Sequence, residues 1–171
     1  MKPHPLPHPP LQAQTRLAPP MGELTAAATI AGLAGLWFDD QSHHPGLLDV
    51  AVDPAQTWLA ATARALAAYF EGAADPLQGL SLDLHGTDFQ RAVWRALQAL
   101  PRGATASYAE IAVAAGRPAA VRAAGAAIGR NPVSILVPCH RVIGRNGSLT
   151  GYAGGLHRKE ALLQREGVFL L

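Results

Sequence analysis

The only cysteine in the chain's 171 residues, Cys139, is preceded by Pro138 and followed by His140. Pro138 lacks an amide hydrogen and biases Val137 away from helix. The apolar run Ile135-Leu136-Val137 is therefore expected to run extended and buried, and to stop at the proline. Cys139 then falls where ordered backbone gives way to a turn, a position that can present a nucleophile. A single cysteine excludes an intrachain disulfide and a cysteine cage for zinc. A lone cysteine is most often a small buried hydrophobe. A histidine next to it on extended backbone points to the opposite side, so His140 would reach the thiol only through a water or a turn. Spacing by itself leaves the structural and the catalytic readings both open.

Charge divides the chain. The formal net charge is +2, but residues 1–87 hold three Lys/Arg and eight Asp/Glu, a balance of −5. Residues 88–171 hold eleven and four, a balance of +7. A basic C-terminal half suits a polyanion, with Arg91, Arg95, Arg102, Arg117, Arg122, Arg130 and Arg141 as candidate phosphate contacts. No apolar run is long enough to span a bilayer. The opening Met1-Lys2-Pro3-His4-Pro5 lacks the apolar core of a signal peptide, and a cytoplasmic location is expected. No membrane partner is implied.

Residues 1–20 alternate proline with His, Gln and Leu and read as a disordered or polyproline-like tail, with His4 and His8 solvated. Residues 21–79 read as a small α/β domain. Within it Leu24–Thr29 and Leu33–Phe38 read as strands about a turn at Ala31-Gly32. His43-His44 reads as loop polarity. Asp53-Pro54 reads as the cap and first turn of a helix running through Trp58, Leu66 and Phe70. Residues 80–87 connect the halves, with Leu80, Leu82 and Leu84 alternating as in a strand.

Residues 88–171 read as mainly helical. Thr87 or Asp88 caps a helix with Phe89, Val93, Trp94, Leu97 and Leu100 on one face. Ser107 and Glu110 have the spacing of a capping box. The short helix they open breaks at Gly116, and Pro118 suits the first turn of the next, which runs to about Gly129. That outline is a helix-turn-helix. The second helix is lined with Ala119, Ala120, Ala123, Ala124, Gly125, Ala126 and Ala127, so only Arg122 and Arg130 could reach base edges. Such a helix fits close to a groove whose sequence it ignores, or packs closely on another helix. The last helix, Leu156 to about Glu166, puts a carboxylate at the unfavourable end of the helix dipole, which calls for a specific partner.

Taken together, Asn131-Pro132, Pro138-Cys139-His140-Arg141-Val142, Gly86–Trp94, Tyr152-Ala153-Gly154-Gly155 and Arg165-Glu166-Gly167 closely resemble the motifs of the O6-alkylguanine-DNA alkyltransferases, or methylated-DNA–protein-cysteine methyltransferases. The resemblance is strong from about Gly86 to the C-terminus and loose before it. It implies a small N-terminal α/β sheet domain plus a mainly helical C-terminal domain with a DNA-binding helix-turn-helix. It implies that Cys139 accepts the alkyl group of O6-alkylguanine irreversibly, once per molecule, with O4-alkylthymine a second candidate substrate. His140 would draw the thiol proton through a water, Glu166 would orient His140, and Asn131 would hold the turn. Arg122 would fill the gap left by the extruded base. Tyr108 would hydrogen-bond the flipped guanine, Tyr152 would wall the alkyl pocket, and the backbone of Cys139, Val142 and Ala153 would read the guanine edge. Ala123, Gly125 and Arg130 join them as DNA contacts. The implied partner is double-stranded DNA carrying alkylated guanine, bound in the minor groove without sequence specificity by a monomer, with cooperativity left open. No metal or organic cofactor is implied.

Three rivals share some of these features. A damage-flagging protein of the alkyltransferase-like kind would lack the motif cysteine that is present here. A Cys-His hydrolase would need an oxyanion hole and would turn over repeatedly. A helix-turn-helix regulator would bind undamaged DNA by sequence, against the alanine-rich helix.

Overall fold

The computed structural model describes residues 9–77 and 79–170; the expectation for His4 and His8 lies outside them. Three antiparallel strands, β1 (Ala13–Leu17), β2 (Leu24–Ala28) and β3 (Leu33–Phe38), form a sheet in the order β1-β2-β3. The central strand β2 is buried along its whole length, which its Ala-rich sequence permits. The hairpin turn falls at Ala31-Gly32, as expected.

β1 corrects the reading of residues 1–20 as a tail. Leu11 to Leu17 is a short alternating run hidden in a proline-rich composition. Ala13 and Thr15 turn inward, and all five strand residues pair with β2 from Ala28 back to Leu24.

Helix α1 (Thr57–Phe70) buries Leu59, Thr62, Ala65, Leu66 and Tyr69, one face of a 3.6-residue period. Its cap is Gln56, whose side chain accepts from the Trp58 and Leu59 amides. Asp53 was expected there, but its amide donates to the Gln14 carbonyl at the edge of β1. Strand pairing therefore holds it upstream, and Pro54 falls in the turn before the helix. Leu80–Leu84 was expected as a strand. Only Leu82 pairs, in one bridge to Leu33 made by the Ser81 carbonyl and the Asp83 amide, and the ladder goes no further.

α2 (Asp88–Gln98) opens with a reciprocal cap between Thr87 and Gln90. The expected box at Ser107 and Glu110 likewise starts α3 (Tyr108–Ala114); caps of this kind contribute about 1 kcal/mol each. Gly116 ends α3 at φ +82°, a left-handed conformation that L side chains resist. α4 (Val121–Gly129) follows with Ala120 as its cap, so Pro118 lies in the preceding turn, not in the helix. β4 (Ala106–Ser107) and β5 (Val142–Ile143) pair in parallel, and α5 (Leu156–Arg165) closes the chain with Leu162 and Leu163 buried.

The two halves join at the thiol segment. The Leu36 amide donates to the Pro132 carbonyl at 2.8 Å, and the Ser134 amide donates to the Leu36 carbonyl at 2.9 Å. Residues 132–134 thus extend the sheet beyond β3. Ile135-Leu136-Val137 is buried as expected but not extended: Ile135 has φ +69°, and the chain turns sharply there. The strand pairing ends at Ser134, and the turn brings Cys139 back toward Asn131. No described helix is long and apolar enough to cross a membrane.

Candidate active site

Cys139, His140 and Arg141 occupy a single 3-10 turn begun by Pro138, and all three are buried. The turn changes the relation of thiol and imidazole, because successive residues no longer point to opposite faces. Asn131 is the latch of this structure. Its Nδ2 donates to the Val137 carbonyl at 2.8 Å and lies 3.1 Å from Cys139 Sγ, while its Oδ1 accepts the Val133 amide at 3.0 Å.

Behind the thiol, Glu166 caps α5 from a buried position and has the partners that its placement against the helix dipole demands. Its Oε1 accepts from His140 Nε2 at 2.7 Å, from Tyr69 Oη at 2.8 Å and from an Arg141 guanidinium nitrogen at 2.9 Å. Its Oε2 accepts Arg141 Nε at 2.8 Å. Burial alone would raise the carboxyl's pKa. The hydrogen bonds from His140 and Arg141, with Tyr69, outweigh it and hold the group well below the usual carboxylate range. An ionised Glu166 can only accept, so the His140 proton sits on Nε2 and Nδ1 carries a free lone pair. Nδ1 has no hydrogen-bond partner in the protein among the described residues.

Burial lowers the pKa of His140, against the pull of Glu166, and so favours the neutral ring. Burial also pushes the Cys139 thiol up, opposed by the Asn131 amide and by Lys159. The thiol is therefore protonated at rest and needs a base, and the neutral imidazole is one. Lys159 is itself buried; it donates to the Thr150 carbonyl at 2.9 Å, and burial lowers its pKa to about 8.

Cys139 lies at a cavity of about 370 Å³. Tyr108, Gly125, Tyr152 and Ala153 line it with Cys139, bringing together five of the residues singled out in the sequence. Tyr108 and Thr150 share a 2.7 Å hydrogen bond between hydroxyls. Gly125 brings α4 to the cavity wall, where an added Cβ would stand 3.6 Å from the Tyr108 ring, at ordinary contact distance. Val142 is not among the lining residues; its side chain is buried and its amide donates to the Cys139 carbonyl. Arg122, Ala123 and Arg130 lie outside the cavity, the first two exposed on the outer side of α4 with Ala126 and Arg130 exposed just past its C-terminal end. The inner side, Ala124, Ala127 and Ile128, is packed, so the small residues serve close packing on one face and an open surface on the other.

Two arginines read as phosphate contacts are engaged by other groups of the protein. Arg141 holds Glu166, and Arg102 donates to the Arg165 carbonyl and lies 5.0 Å from the centre of the Tyr69 ring. Sequence position alone could not separate these engaged guanidinium groups from the free-standing ones. Ser42 and His43, from the loop after β3, form the wall contributed by the sheet half. His43, read as loop polarity, is brought there by the Ser42 amide, which donates to the Ala153 carbonyl at 3.0 Å. Tyr69 and Lys159 carried no motif signal, and only their placement in the folded chain reveals them. Among the described residues, no three His, Cys, Asp or Glu side chains cluster as a metal site.

The family model for the DNA-binding domain of 6-O-methylguanine DNA methyltransferase matches residues 88–168. A methylated-DNA–protein-cysteine methyltransferase of Mycolicibacterium paratuberculosis is 48% identical over 147 residues, which is 86% of this chain and 87% of that protein. One of Salmonella typhimurium is 58% identical over 106 residues, 62% of each chain. The crystal structure of Mycobacterium tuberculosis OGT in complex with DNA superposes with a TM-score of 0.81 at 43% identity, covering 90% of this chain and 92% of that one. With its sheet and helical halves both matched, and with 48% identity to a relative over 86% of its length, the chain belongs to the methylated-DNA–protein-cysteine methyltransferase family.

Proposed function

We propose that this protein repairs DNA by transferring the alkyl group of O6-alkylguanine to Cys139, in one irreversible step per molecule. The observation that carries this reading is the buried thiol at the cavity, backed by a neutral His140 whose Nδ1 is an acceptor and whose Nε2–H is held by Glu166. His140 Nδ1 takes the thiol proton through a water. The thiolate attacks the alkyl carbon, a C–S bond forms, and the carbon–O6 bond breaks. Its electron pair goes to guanine, which takes up the proton from His140. The products are S-alkylcysteine and guanine, and no group in the site can reverse a thioether.

The target atom is out of reach inside a duplex, so the nucleotide is extruded into the cavity. Tyr108 and Tyr152 flank it there, and the backbone at Cys139, Val142 and Ala153 reads the guanine edge. The exposed side of α4 meets the DNA, with Ala123 and Ala126 allowing close approach, Arg122 entering the stack and Arg130 meeting phosphate. A surface so poor in hydrogen-bonding side chains suits the minor groove and tolerates any sequence. The α3–turn–α4 unit is read as the helix-turn-helix that presents this surface, and the protein acts as a monomer.

Intact mass after incubation with duplex DNA containing O6-methylguanine tests the proposal, beside O4-methylthymine duplex, undamaged duplex and Cys139→Ala. A gain of one methylene that stops at one equivalent and maps to Cys139 is expected. Binding of the damaged duplex without a mass change would replace repair by damage recognition.

A further inference from the structure

Within the transfer reaction just proposed, we infer that Tyr69 is a positioning residue of the thiol's proton relay: it shares Glu166 Oε1 with His140, so that the carboxylate holds the imidazole as an oriented, neutral base. Tyr69 comes from α1, in the sheet half of the molecule, 97 residues from the carboxylate that it meets at 2.8 Å. The phenol is buried to 1% exposure, and among the described residues only Glu166 accepts its proton.

The geometry divides the work on Glu166. Arg141 binds both oxygens and fixes the plane of the carboxylate. That leaves Oε1 between His140 and Tyr69. A carboxylate oxygen that accepts from two strong donors besides a guanidinium spreads its charge over all of them, and each added donor weakens its hold on the others. Without Tyr69, the oxygen would draw the His140 Nε2–H more strongly and make Nδ1 more basic. The ring would then become imidazolium at a higher pH, where it cannot accept the thiol proton.

The remaining charged groups around the relay are fixed by other contacts. Lys159, from α5, is anchored on the Thr150 carbonyl and acts on both Cys139 and His140 through its charge. Arg102 covers the outer face of the Tyr69 ring and ties to the Arg165 carbonyl at the end of α5. Burial, with the charge of Glu166 beside it, holds the Tyr69 phenol protonated, so it remains a donor. Tyr69 is therefore clamped between Arg102 and the carboxylate. Among the described residues, its hydroxyl is the one part of the sheet half that makes a hydrogen bond to the relay.

The test compares the full-length wild type with Tyr69→Phe, which keeps the ring and removes the donor. A second variant carries 3-fluorotyrosine at position 69, which keeps the side chain and strengthens the donor. Rate constants are measured against pH for transfer from O6-methylguanine duplex and, independently of DNA, for alkylation of Cys139 by iodoacetamide. The midpoint of the acid limb should move to higher pH in Tyr69→Phe and to lower pH in the fluorotyrosine protein. Coincident midpoints in all three proteins would overturn the inference. So would a loss of rate equal at every pH with a lowered melting temperature, which is the mark of a packing residue. If the wild type fails on O6-methylguanine duplex, the proposed function falls, while the iodoacetamide profiles still decide the place of Tyr69.

Discussion

The indole of Trp94 on α2 gives its Nε1–H to the carbonyl of Ala127 on α4, at 2.9 Å, and so sets how α4 lies on the helical core. The ring is almost fully buried, and Gly86 makes room for it: a Cβ there would come within 2.6 Å of the indole. Replacing Trp94 by Phe removes the bond and part of the ring. The Ala127 carbonyl keeps the Arg130 amide as a partner, which limits the cost. A loss of about 2 kcal/mol, or a fall in Tm of roughly 5 °C, is expected by calorimetry. Affinity for duplex DNA should fall with it, since α4 carries the surface proposed to meet the groove.

Asn131→Ala should cost more than its size suggests. The substitution leaves the Val133 amide without a partner in a buried turn, and leaves the Val137 carbonyl with the Cys139 amide alone. A destabilisation of about 2 kcal/mol is expected from the unpaired amide and the lost side-chain bonds. Denaturant titration measures it, and the transfer rate constant of the folded fraction should also drop, because the turn that carries Cys139 is no longer fixed.

The pH dependence follows from the relay. His140 must be neutral to accept the thiol proton, and burial lowers its pKa despite Glu166. The transfer rate should therefore hold as pH falls through the ordinary histidine value of about 6.5 and decline only below it. Glu166→Gln should flatten and depress the whole profile, since the amide can no longer fix the tautomer. Stability has its own acid limb. The folded-state pKa of Glu166 is depressed, so its contribution is complete above the unfolded value of about 4.3 and is lost as acid protonates the folded carboxyl. Thermal melts between neutral and acid pH would detect this loss, and Glu166→Gln should reduce it.

Substitutions at Arg122 and Arg130 test the proposed separation of DNA handling from chemistry. Arg122 is exposed on α4 and Arg130 just past its C-terminal end, both outside the cavity. Arg122→Ala should slow transfer from duplex by about tenfold or more, because base extrusion is lost, yet leave the reaction with free O6-methylguanine base unchanged. Arg130→Ala should weaken binding of damaged and undamaged duplex alike and reduce the salt slope by about 1. Equal losses on duplex and free base for Arg122→Ala would place that arginine's role in the cavity instead.

How far the sequence could be read depended on whether the signal was local. The reciprocal caps at Thr87 and Ser107 are short-range chemistry, and the helices begin where those residues place them. Asp53 looked equally good as a cap, but a backbone bond to Gln14 outcompeted it, and nothing within a few residues could announce that. β1 was lost in the composition around it. Cys139, His140 and Glu166 were legible because their order is a motif, and the structure brings the last two within hydrogen-bonding distance. Tyr69 and the Ser42-His43 wall were not legible, because each meets the site only through long-range folding. Arg141 was visible but misassigned, since a guanidinium in a basic half looks the same whether it faces a phosphate or a buried carboxylate.

The pairing of Leu36 with residues 132–134 has a consequence for how the molecule comes apart. A strand of one half is hydrogen-bonded directly to the segment that carries the thiol of the other, and Gln41 adds a 2.9 Å bond to the Ser134 hydroxyl. Neither half can open without stripping the other's backbone. The amides of Leu36 and Ser134 should exchange with solvent deuterium at one common rate, that of global unfolding. A chain severed in the connector should leave the thiol turn without its template, so the nucleophile exists only in a protein that has folded as one unit.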